Sequence, residues 1–281
     1  MQLKLSVPDS HQDLIVGPLA ALGFEGFLQD DGELSAYVHE SKWDRTCEVR
    51  LRHYLRNFSR EFPRLKLHVS RSLVRQQDWN RTWERSIGIV EAAPGIVIKP
   101  SWRNLRARDK GKIVLRIDPK MSFGTGHHET TRLCLRLLRE YIRPGMSVLD
   151  FGSGTGILAT ASIKLGARRA LAIDHDAWTI PNIKENLKRN RIEKRVRVIL
   201  GSAASIPSIS FDLVVANIDL PTITEVHPHF IKRLSKGGIL ILSGLLTTDL
   251  LPLHKLISHK GLSPLDIAEE NEWAALALVR I

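Results

Sequence analysis

A buried strand that runs directly into a glycine-rich turn and an apolar helix limits this chain to few folds. Residues 148–151 are Val, Leu, Asp and Phe, and Gly152, Gly154 and Gly156 follow before the apolar helix. Glycine lacks a side chain, so the backbone can turn sharply here and a ligand can approach it. The beginning of the helix offers free N–H groups and a partial positive charge. The segment therefore predicts a βα unit with a small-molecule site at its turn.

The spacing of the glycines indicates the class of cofactor. A dinucleotide site uses G-x-G-x-x-G, whereas this turn is G-x-G-x-G, with Ile157 in the place of the third dinucleotide glycine. Asp174 ends the next strand, where an acid can accept hydrogen bonds from ribose hydroxyls. We interpret Asp176 as the cap of the next helix. The pattern favours S-adenosylmethionine over NAD, and the alternative is a glycine-rich turn without a ligand. The candidate cofactor contacts in this unit are Asp150, Gly152, Gly154, Gly156 and Asp174.

From residue 130 onward, helix-like and strand-like segments alternate, which is typical of a parallel sheet. Strands are predicted at residues 147–151, 170–174, 196–200, 213–217, 239–243, 263–268 and 274–280. Helices are predicted at residues 130–141, 156–165, 178–190, 222–234 and 250–258. The last two strands leave no room for a helix between them and must form an antiparallel hairpin. The prediction is an α/β, Rossmann-like, seven-stranded domain over residues 87–281, with short lead-in strands at residues 87–91, 95–99 and 112–118.

The first 72 residues follow a different pattern. Alternating apolar residues predict strands at residues 2–7, 26–29, 34–39 and 65–69. Ser10 and Asp44 are predicted to cap two helices, which Gly23 and Pro63 end. The order βαββαβ predicts a small ferredoxin-like α+β domain over residues 1–72. Residues 73–86, with Leu73, Trp79 and Trp83 at helical spacing, predict a linker helix.

Two further segments are candidates for a transfer site. Residues 211–217 form a strand that ends in Asn217, at the sheet edge that faces the ligand crevice. The Asn217 amide could hold a substrate amine or the methionine part of the cofactor, and the alternative is a turn-forming asparagine. The second segment is a glycine-hinged loop that we expect to close over the cofactor. It comprises Phe123, Gly124, Thr125, Gly126, His127, His128, Glu129, Thr130 and Thr131.

In this loop, Thr130 or Thr131 is predicted to cap the following helix, and both can reach a ligand. No metal site is predicted, because adjacent histidines such as His127 and His128 point in different directions and no third ligand is suitably spaced.

The charge of the chain favours an anionic partner. The 281 residues carry a formal net charge of +11. Many of the cations crowd the first third, which favours proximity to ribosomal RNA over a merely basic surface. These are Arg45, Arg50, Arg52, Arg56, Arg60, Arg64, Lys66, Arg71, Arg75, Arg81 and Arg85. We expect no signal peptide and no membrane helix, since apolar runs are short. Cys47 and Cys134 are expected to be reduced thiols in a cytoplasmic protein.

Several motifs together resemble the PrmA family, whose members methylate ribosomal protein L11. They are Asp118-Pro119, Phe123-Gly124-Thr125-Gly126-His127, Thr130-Thr131, Cys134-Leu135, Val148-Leu149-Asp150, the glycines 152, 154 and 156, Val215-Ala216-Asn217-Ile218, Gly237-Gly238, Ser243-Gly244 and Glu272-Trp273. The resemblance covers residues 78–281, and the Phe-Gly-Thr-Gly-His segment is its most specific part.

The resemblance implies a class I methyltransferase domain behind a small ferredoxin-like recognition domain. It implies that Thr131, Gly152, Asp174 and Asn217 contact S-adenosylmethionine, and that lysine and N-terminal amines of ribosomal protein L11 are the acceptors. The chain departs from the family pattern at three places, which concern the acceptor and the adenine more than methyl transfer. His127-His128-Glu129 stands where Thr-His-Pro is common, Asp219 stands where leucine is usual, and Ser202 replaces an acid near the expected adenine site.

Two other functions remain open from the sequence. A methyltransferase that acts on ribosomal RNA or on another protein would share the cofactor motifs. A base-methylating enzyme is expected to follow the strand-end asparagine with Pro-Pro-aromatic, and Ile218-Asp219-Leu220 offers no ring to stack a base. A non-catalytic ribosome-binding module that retains the pocket is the third possibility.

Overall fold

The computed structural model describes residues 1–63, 65, 67–73, 87–120, 122–257 and 260–281. The chain divides into two compact units, Met1–Arg81 and Thr82–Ile281. The predicted linker helix at residues 73–86 lies, except for Leu73, outside the described residues.

The first unit is a four-stranded antiparallel sheet with two helices. Its strands are β1 (Gln2–Ser6), β2 (Gly26–Asp30), β3 (Glu33–Tyr37) and β4 (His68–Ser72). Its helices are α1 (Asp9–Ala21) and α2 (Arg45–Glu61). The strands are arranged in the order β2-β3-β1-β4. Buried apolar residues of both helices, such as Ile15, Leu19 and Leu51, pack with Leu3 and Leu34 of the sheet into one core.

Two local predictions for this unit are wrong and one is confirmed. Ser10 does not cap α1, which begins at Asp9, and the Asp9 carboxylate accepts a hydrogen bond from the Gly32 backbone N–H (3.0 Å). The last strand begins at His68 and not at residue 65, because Leu65 still belongs to the turn that follows α2 and donates its N–H to the Phe62 carbonyl. Asp44 does cap α2: its carboxylate accepts from the Cys47 N–H at 2.7 Å.

The second unit is built on a mixed sheet. Its strands are β8 (Ser147–Phe151), β9 (Arg169–Asp174), β10 (Val196–Leu200), β11 (Phe211–Asn217), β12 (Leu234–Leu246), β13 (Leu262–Glu270) and β14 (Trp273–Arg280). Over the described residues they are arranged in the order β10-β9-β8-β11-β12-β14-β13. β8 to β12 run parallel, and β14 pairs antiparallel with both β12 and β13. The predicted antiparallel hairpin of the last two strands is therefore confirmed.

Helices cover both faces of this sheet. They are α3 (Glu129–Tyr141), α4 (Ile157–Lys164), α5 (Thr179–Arg189), α6 (Leu220–Arg233) and α7 (Leu250–Ile257). One core contains buried residues of α3, α4 and α5, such as Leu133, Leu158 and Ile183, and the other contains Phe230 of α6 and Leu253 of α7. The result is an α/β fold of three layers. None of the helices within the described ranges has the length and apolar character needed to cross a lipid bilayer.

Neither threonine that was predicted to cap α3 does so. The helix begins at Glu129, and the ring Nδ1 of His128 accepts from the Thr130 N–H at 3.3 Å. Thr130 and Thr131 lie inside the first turn and are buried. A histidine therefore performs the role that cap preferences assign to a threonine.

The short strands before residue 117 form a separate sheet. They are β5 (Val90–Ala93), β6 (Ile96–Lys99) and β7 (Ile113–Arg116), in that order. Ile96, Ile98 and Leu115 belong to the same core as α3 and α4. The Asn190 side chain binds β7 at both polar groups of one residue, because it accepts from the Arg116 N–H (3.0 Å) and donates to the Arg116 carbonyl (2.7 Å).

Candidate functional site

A cavity of about 370 Å³ lies at the carboxyl ends of β8, β9 and β11. This is the edge of an open α/β sheet where ligands bind, and the volume is in the range of small-molecule sites. We call it the first cavity. It is lined by Ser122, Phe123, Phe151, Gly152, Gly154, Ile173, Asp174, His175, Asp176, Thr179, Gly201, Asn217, Ile218, Asp219 and Thr222.

The glycine turn after β8 leaves no room for side chains. Gly152 and Gly154 have φ values of +74° and +54°, which L side chains rarely adopt. A Cβ on Gly152 would lie 2.7 Å from Cγ2 of Ile218, and one on Gly154 would overlap the Phe123 carbonyl oxygen. Both glycines are therefore required by backbone conformation and by close packing, and both expose backbone to the first cavity.

Gly156 performs a different task from the other two glycines. It is the residue before α4, with φ of +77°, and a Cβ there would come within 3.0 Å of Ile183. It does not line the first cavity. Its part in the site is to let the turn enter α4 against α5.

The Asp174 carboxylate ends β9 and forms part of the cavity wall. One oxygen accepts from the Gly154 N–H at 2.8 Å and the other from the Asp176 N–H at 3.0 Å. A carboxylate has about four acceptor positions, so these two bonds leave capacity for two further donors. A ligand with a pair of neighbouring hydroxyl groups fits this arrangement.

Asp150 lies beneath the glycine turn and does not reach the first cavity. Its Oδ2 accepts from the Ala159 N–H in the first turn of α4 (2.9 Å), and its Oδ1 has no hydrogen-bond partner among the described residues. Burial raises the pKa of the Asp150 carboxyl to about 7, and the nearby charge of Asp174 adds to the rise. Asp150 therefore acts on the turn from below.

The loop before α3 contributes one side chain to the cavity wall and packs the others behind it. Phe123 lines the first cavity, whereas Gly124, Thr125 and Gly126 do not. The backbone N–H of Thr155 donates to the Phe123 carbonyl (2.9 Å), and its hydroxyl donates to the Gly124 carbonyl (2.7 Å). The loop is thus hydrogen-bonded to the glycine turn.

Two of the tightest positions in this loop are its glycines. A Cβ on Gly124 would lie 2.8 Å from the Thr155 hydroxyl oxygen, and one on Gly126 would overlap the Ile98 side chain. Thr131, in the first turn of α3, is fully buried and does not line the cavity. Its hydroxyl has no hydrogen-bond partner among the described residues.

Asn217 lies at the junction of the first cavity with a second one. It is the last residue of β11 and is half-buried. Within the described part of the chain, its side chain makes no hydrogen bond. The second cavity has a volume of about 240 Å³ and shares four residues with the first. It is lined by Phe123, His128, Thr130, Asn217, Ile218, Asp219, Gly244 and Trp273.

The second cavity has aromatic walls. The His128 ring centroid lies 4.8 Å from that of Trp273 and 5.5 Å from that of Phe123, both in edge contacts. Gly244 allows the approach of the Ile218 backbone, which a Cβ at that position would overlap. Apolar walls beside a polar junction suit a long, mostly apolar side chain that carries a polar end group.

Asp219 is the charged residue that the two cavities share. Its carboxylate caps α6 by accepting from the Thr222 N–H at 2.8 Å. Hydrogen bonds from the Thr222 side chain and backbone hold the pKa of Asp219 below its usual range. The group is therefore ionised at neutral pH.

Sequence reasoning brought together only part of this site. Phe123, Gly152, Gly154, Asp174 and Asn217 line the first cavity, and the remaining candidates support it from behind. His128 and Trp273 were missed as wall residues, because no local pattern links positions so far apart. Asp176 lines the cavity as well as turning the chain, since its carboxylate accepts from the Trp178 N–H (2.8 Å). Near the expected adenine site, Gly201 lines the cavity and Ser202 does not.

Comparison with known proteins gives a consistent result. The family model described as Ribosomal protein L11 methyltransferase (PrmA) matches residues 18–280. The Ribosomal protein L11 methyltransferase of Pelotomaculum thermopropionicum is 37% identical over 234 residues, which is 83% of this chain and 76% of that protein. That of Chlorobaculum tepidum is 33% identical over 278 residues, 97% of this chain and 94% of that protein. The crystal structure of ribosomal protein L11 methylase from Lactobacillus delbrueckii subsp. bulgaricus has a TM-score of 0.63 and 28% identity, covering 68% of this chain and 98% of that one.

Proposed function

Since this chain belongs to the ribosomal protein L11 methyltransferase family, we propose that it methylates lysine and N-terminal amines of ribosomal protein L11 with S-adenosylmethionine. Its second unit has the Rossmann-like α/β fold of class I S-adenosylmethionine-dependent methyltransferases, with a mixed sheet. The observation that carries the proposal is the position of Asn217, whose side chain lines two adjoining cavities. Methyl transfer requires such a junction, because donor and acceptor must meet there.

The first cavity suits S-adenosylmethionine. The free acceptor capacity of Asp174 matches the two ribose hydroxyls, and the turn at Gly152 and Gly154 offers bare backbone to the methionine part. Phe123 and Asn217 complete the proposed contacts. The other candidates, which are Asp150, Gly156, Gly124, Thr125, Gly126 and Thr131, are proposed to act by shaping the turn and the loop.

The second cavity suits the acceptor side chain. A lysine amine has an ordinary pKa of about 10.4 and must lose a proton before it can react. The aromatic walls formed by Phe123, His128 and Trp273 would desolvate the ammonium group and lower its pKa. The Oδ1 atom of Asn217 can then accept an N–H from the neutral amine and direct its lone pair toward the first cavity.

The chemistry of transfer is a direct displacement. The cofactor supplies a methyl group that its sulfonium already makes electrophilic. A nitrogen–carbon bond forms as the sulfur–carbon bond breaks, and the amine proton passes to water. The protein contributes alignment, which Asn217 provides at the point of contact between the cavities.

We propose that the first unit is a ferredoxin-like recognition domain for ribosomal protein L11, used close to ribosomal RNA. The order β2-β3-β1-β4 with two helices supports this assignment. So does the surface of α2, where Arg45, Arg50, Arg56 and Arg60 are exposed and have no ion-pair partner among the described residues. The free thiols of Cys47 and Cys134 are compatible with a cytoplasmic location.

The test is incubation of the protein with methyl-labelled cofactor, purified ribosomal protein L11 and ribosomal RNA in one reaction. Mass spectrometry should locate the label on lysine or N-terminal amines of ribosomal protein L11. Label in the RNA would instead make the chain an RNA methyltransferase. Cofactor binding with no label in either component would make it a non-catalytic module.

A further inference from the structure

A recess at the opposite end of α5 from the first cavity is lined by cations. It has a volume of about 460 Å³, and we call it the basic recess. Its charged lining residues are Lys112, Arg116, Lys164, Arg189 and Arg191. The 11 residues of α5 begin at Thr179, in the wall of the first cavity, and end at the basic recess, about 15 Å away. The recess shares no lining residue with either cavity and lies outside the proposed transfer site.

Three of the five cations are not neutralised by a neighbour. Lys112 and Arg189 form ion pairs with carboxylates of the same unit. Arg116, Lys164 and Arg191 are exposed, and none of them has an ion-pair partner among the described residues. The recess therefore presents a concentrated positive charge that faces solvent.

The backbone of Arg191 is held in an unusual conformation. Its φ is +57°, in the left-handed region. It stands directly after α5, where the N–H of Ile192 bonds to the carbonyl of Leu187. Glycine is the residue that this helix-ending position favours, and an arginine is strained there. Strain retained at one residue is a reason to ask what its side chain does.

Helix stabilisation explains only part of the cluster. Cations in the last turn interact favourably with the negative end of the helix dipole, which accounts for Lys164 and Arg189. It does not account for Arg116, which lies in β7, or for Arg191, which lies beyond the end of α5. Burial and then the charge of Arg116 lower the pKa of Lys99, the partner of Arg116 on β6. The positive field beside the recess is thus not balanced locally.

The recess is also rigidly framed. The Asn190 side chain binds the backbone N–H and carbonyl of Arg116 and donates to the Asn186 carbonyl at 2.8 Å. Arg191 follows Asn190 directly in the chain. The backbones that carry the two arginines are therefore fixed relative to each other, so that little order has to be gained when an anion binds.

We propose that the basic recess binds phosphate groups of an RNA backbone. Guanidinium groups bind phosphate oxygens through paired hydrogen bonds, and Arg116 and Arg191 supply two of them with Lys164 as a further cation. An open site with several separate cations suits successive phosphates of a chain. A free oligophosphate shares this chemistry, and the test separates the two sources. The proposal stands independently of methyl transfer.

The test measures binding of a fluorescein-labelled RNA hairpin to the full chain as a function of salt. The recess variant removes its three unpaired cations: Arg116→Gln, Lys164→Gln and Arg191→Gly. The matched control removes three exposed lysines of the same unit: Lys184→Gln, Lys232→Gln and Lys236→Gln. The recess variant should bind at least about tenfold more weakly than the control, and its salt dependence should fall by about 0.7–0.9 in slope for each phosphate that it no longer binds. Equal affinity and slope in the two variants would overturn the proposal.

Two further arms protect the result. Arg191→Gly alone relieves the left-handed arginine and should unfold at the same temperature as the wild type or higher, so its weaker RNA binding cannot come from misfolding. If calorimetry shows inorganic tripolyphosphate bound at the recess while the recess variant keeps full RNA affinity, the RNA assignment is overturned. Because the readout is RNA binding, it does not depend on whether ribosomal protein L11 is the methyl acceptor.

Discussion

The carboxylate of Asp174 accepts a hydrogen bond from the backbone N–H of Gly154 at a distance of 2.8 Å. This bond joins the end of β9 to the turn that follows β8. The acid and the glycine turn are therefore one structural unit, in which the residue expected to hold the ribose also fixes the backbone beside it.

Asp174→Asn should weaken cofactor binding without unfolding the chain. The amide keeps one acceptor and the shape of the side chain but loses the charge. A hydrogen bond to a charged group contributes about 1.5–3 kcal/mol, so the Kd for S-adenosylhomocysteine should rise at least about tenfold. Calorimetric titration measures this, with Glu193→Gln, an exposed carboxylate, as the matched control. An unchanged Kd would remove Asp174 from the cofactor site.

Gly154→Ala should damage the site more than an equivalent change elsewhere. A Cβ at Gly154 would overlap the Phe123 carbonyl oxygen in addition to straining φ. Gly145→Ala is the control, because its φ of +90° is equally unfavourable but the space around it is open. Left-handed strain costs about 1–2 kcal/mol in both variants. The Gly154 variant alone should also lose cofactor affinity in the same titration, and equal affinity in both would contradict the packing argument.

Asn217→Ala should separate methyl transfer from cofactor binding. The side chain lies where the two cavities meet, and misplacement of a reacting group can cost about 100-fold in rate. We expect turnover on ribosomal protein L11 to fall by that order, while the Kd for S-adenosylhomocysteine changes much less. Turnover at the wild-type level would show that Asn217 does not position the acceptor.

Asp219 has two roles that different substitutions can separate. As the cap of α6 it should contribute about 0.5–2 kcal/mol, which Asp219→Leu removes and Asp219→Asn keeps. As an anion beside the second cavity it should attract the acceptor ammonium. Both variants should therefore raise the KM for ribosomal protein L11, but only the leucine variant should lower the unfolding temperature. If the asparagine variant keeps the wild-type KM, the charge has no part in acceptor binding.

Asp150 predicts a pH dependence of stability. Its folded-state pKa of about 7 lies above the ordinary value of 3.8, so the folded protein binds this proton more tightly than the unfolded chain does. The free energy of unfolding should consequently fall as the pH rises from 3.8 to about 7 and then level off, by about 1.4 kcal/mol for each pKa unit. Asp150→Asn should lack this contribution. Denaturant unfolding of both proteins across the range tests it, and parallel curves would contradict the raised pKa.

The sequence predicted best those features that depend on neighbours in the chain. The unit from β8 to Asp174 is local: an apolar strand, three glycines and a strand-end acid each have a short-range signature. Caps were less predictable, because Thr130 and His128 can both accept a hydrogen bond and only packing decides which of them does so.

The second cavity could not be predicted from local patterns. His128 and Trp273 are far apart in the chain, and their ring contact depends on α3 and β14 lying side by side. Gly244 has a similar history, because its need for a bare Cα comes from the Ile218 backbone and not from its own neighbours. The basic recess was hidden for the same reason: its cations belong to separate elements of the fold.

The position of β14 between β12 and β13 has a consequence for how the protein is made. β13 leaves the ribosome before β14 does, yet β14 is its partner in the sheet. Until β14 is synthesised, β13 has no strand to join, and the edge of β12 stays open to wrong partners. The last steps of folding must therefore wait for nearly the whole of this unit to be translated, which makes the nascent chain most vulnerable to aggregation just before its synthesis ends.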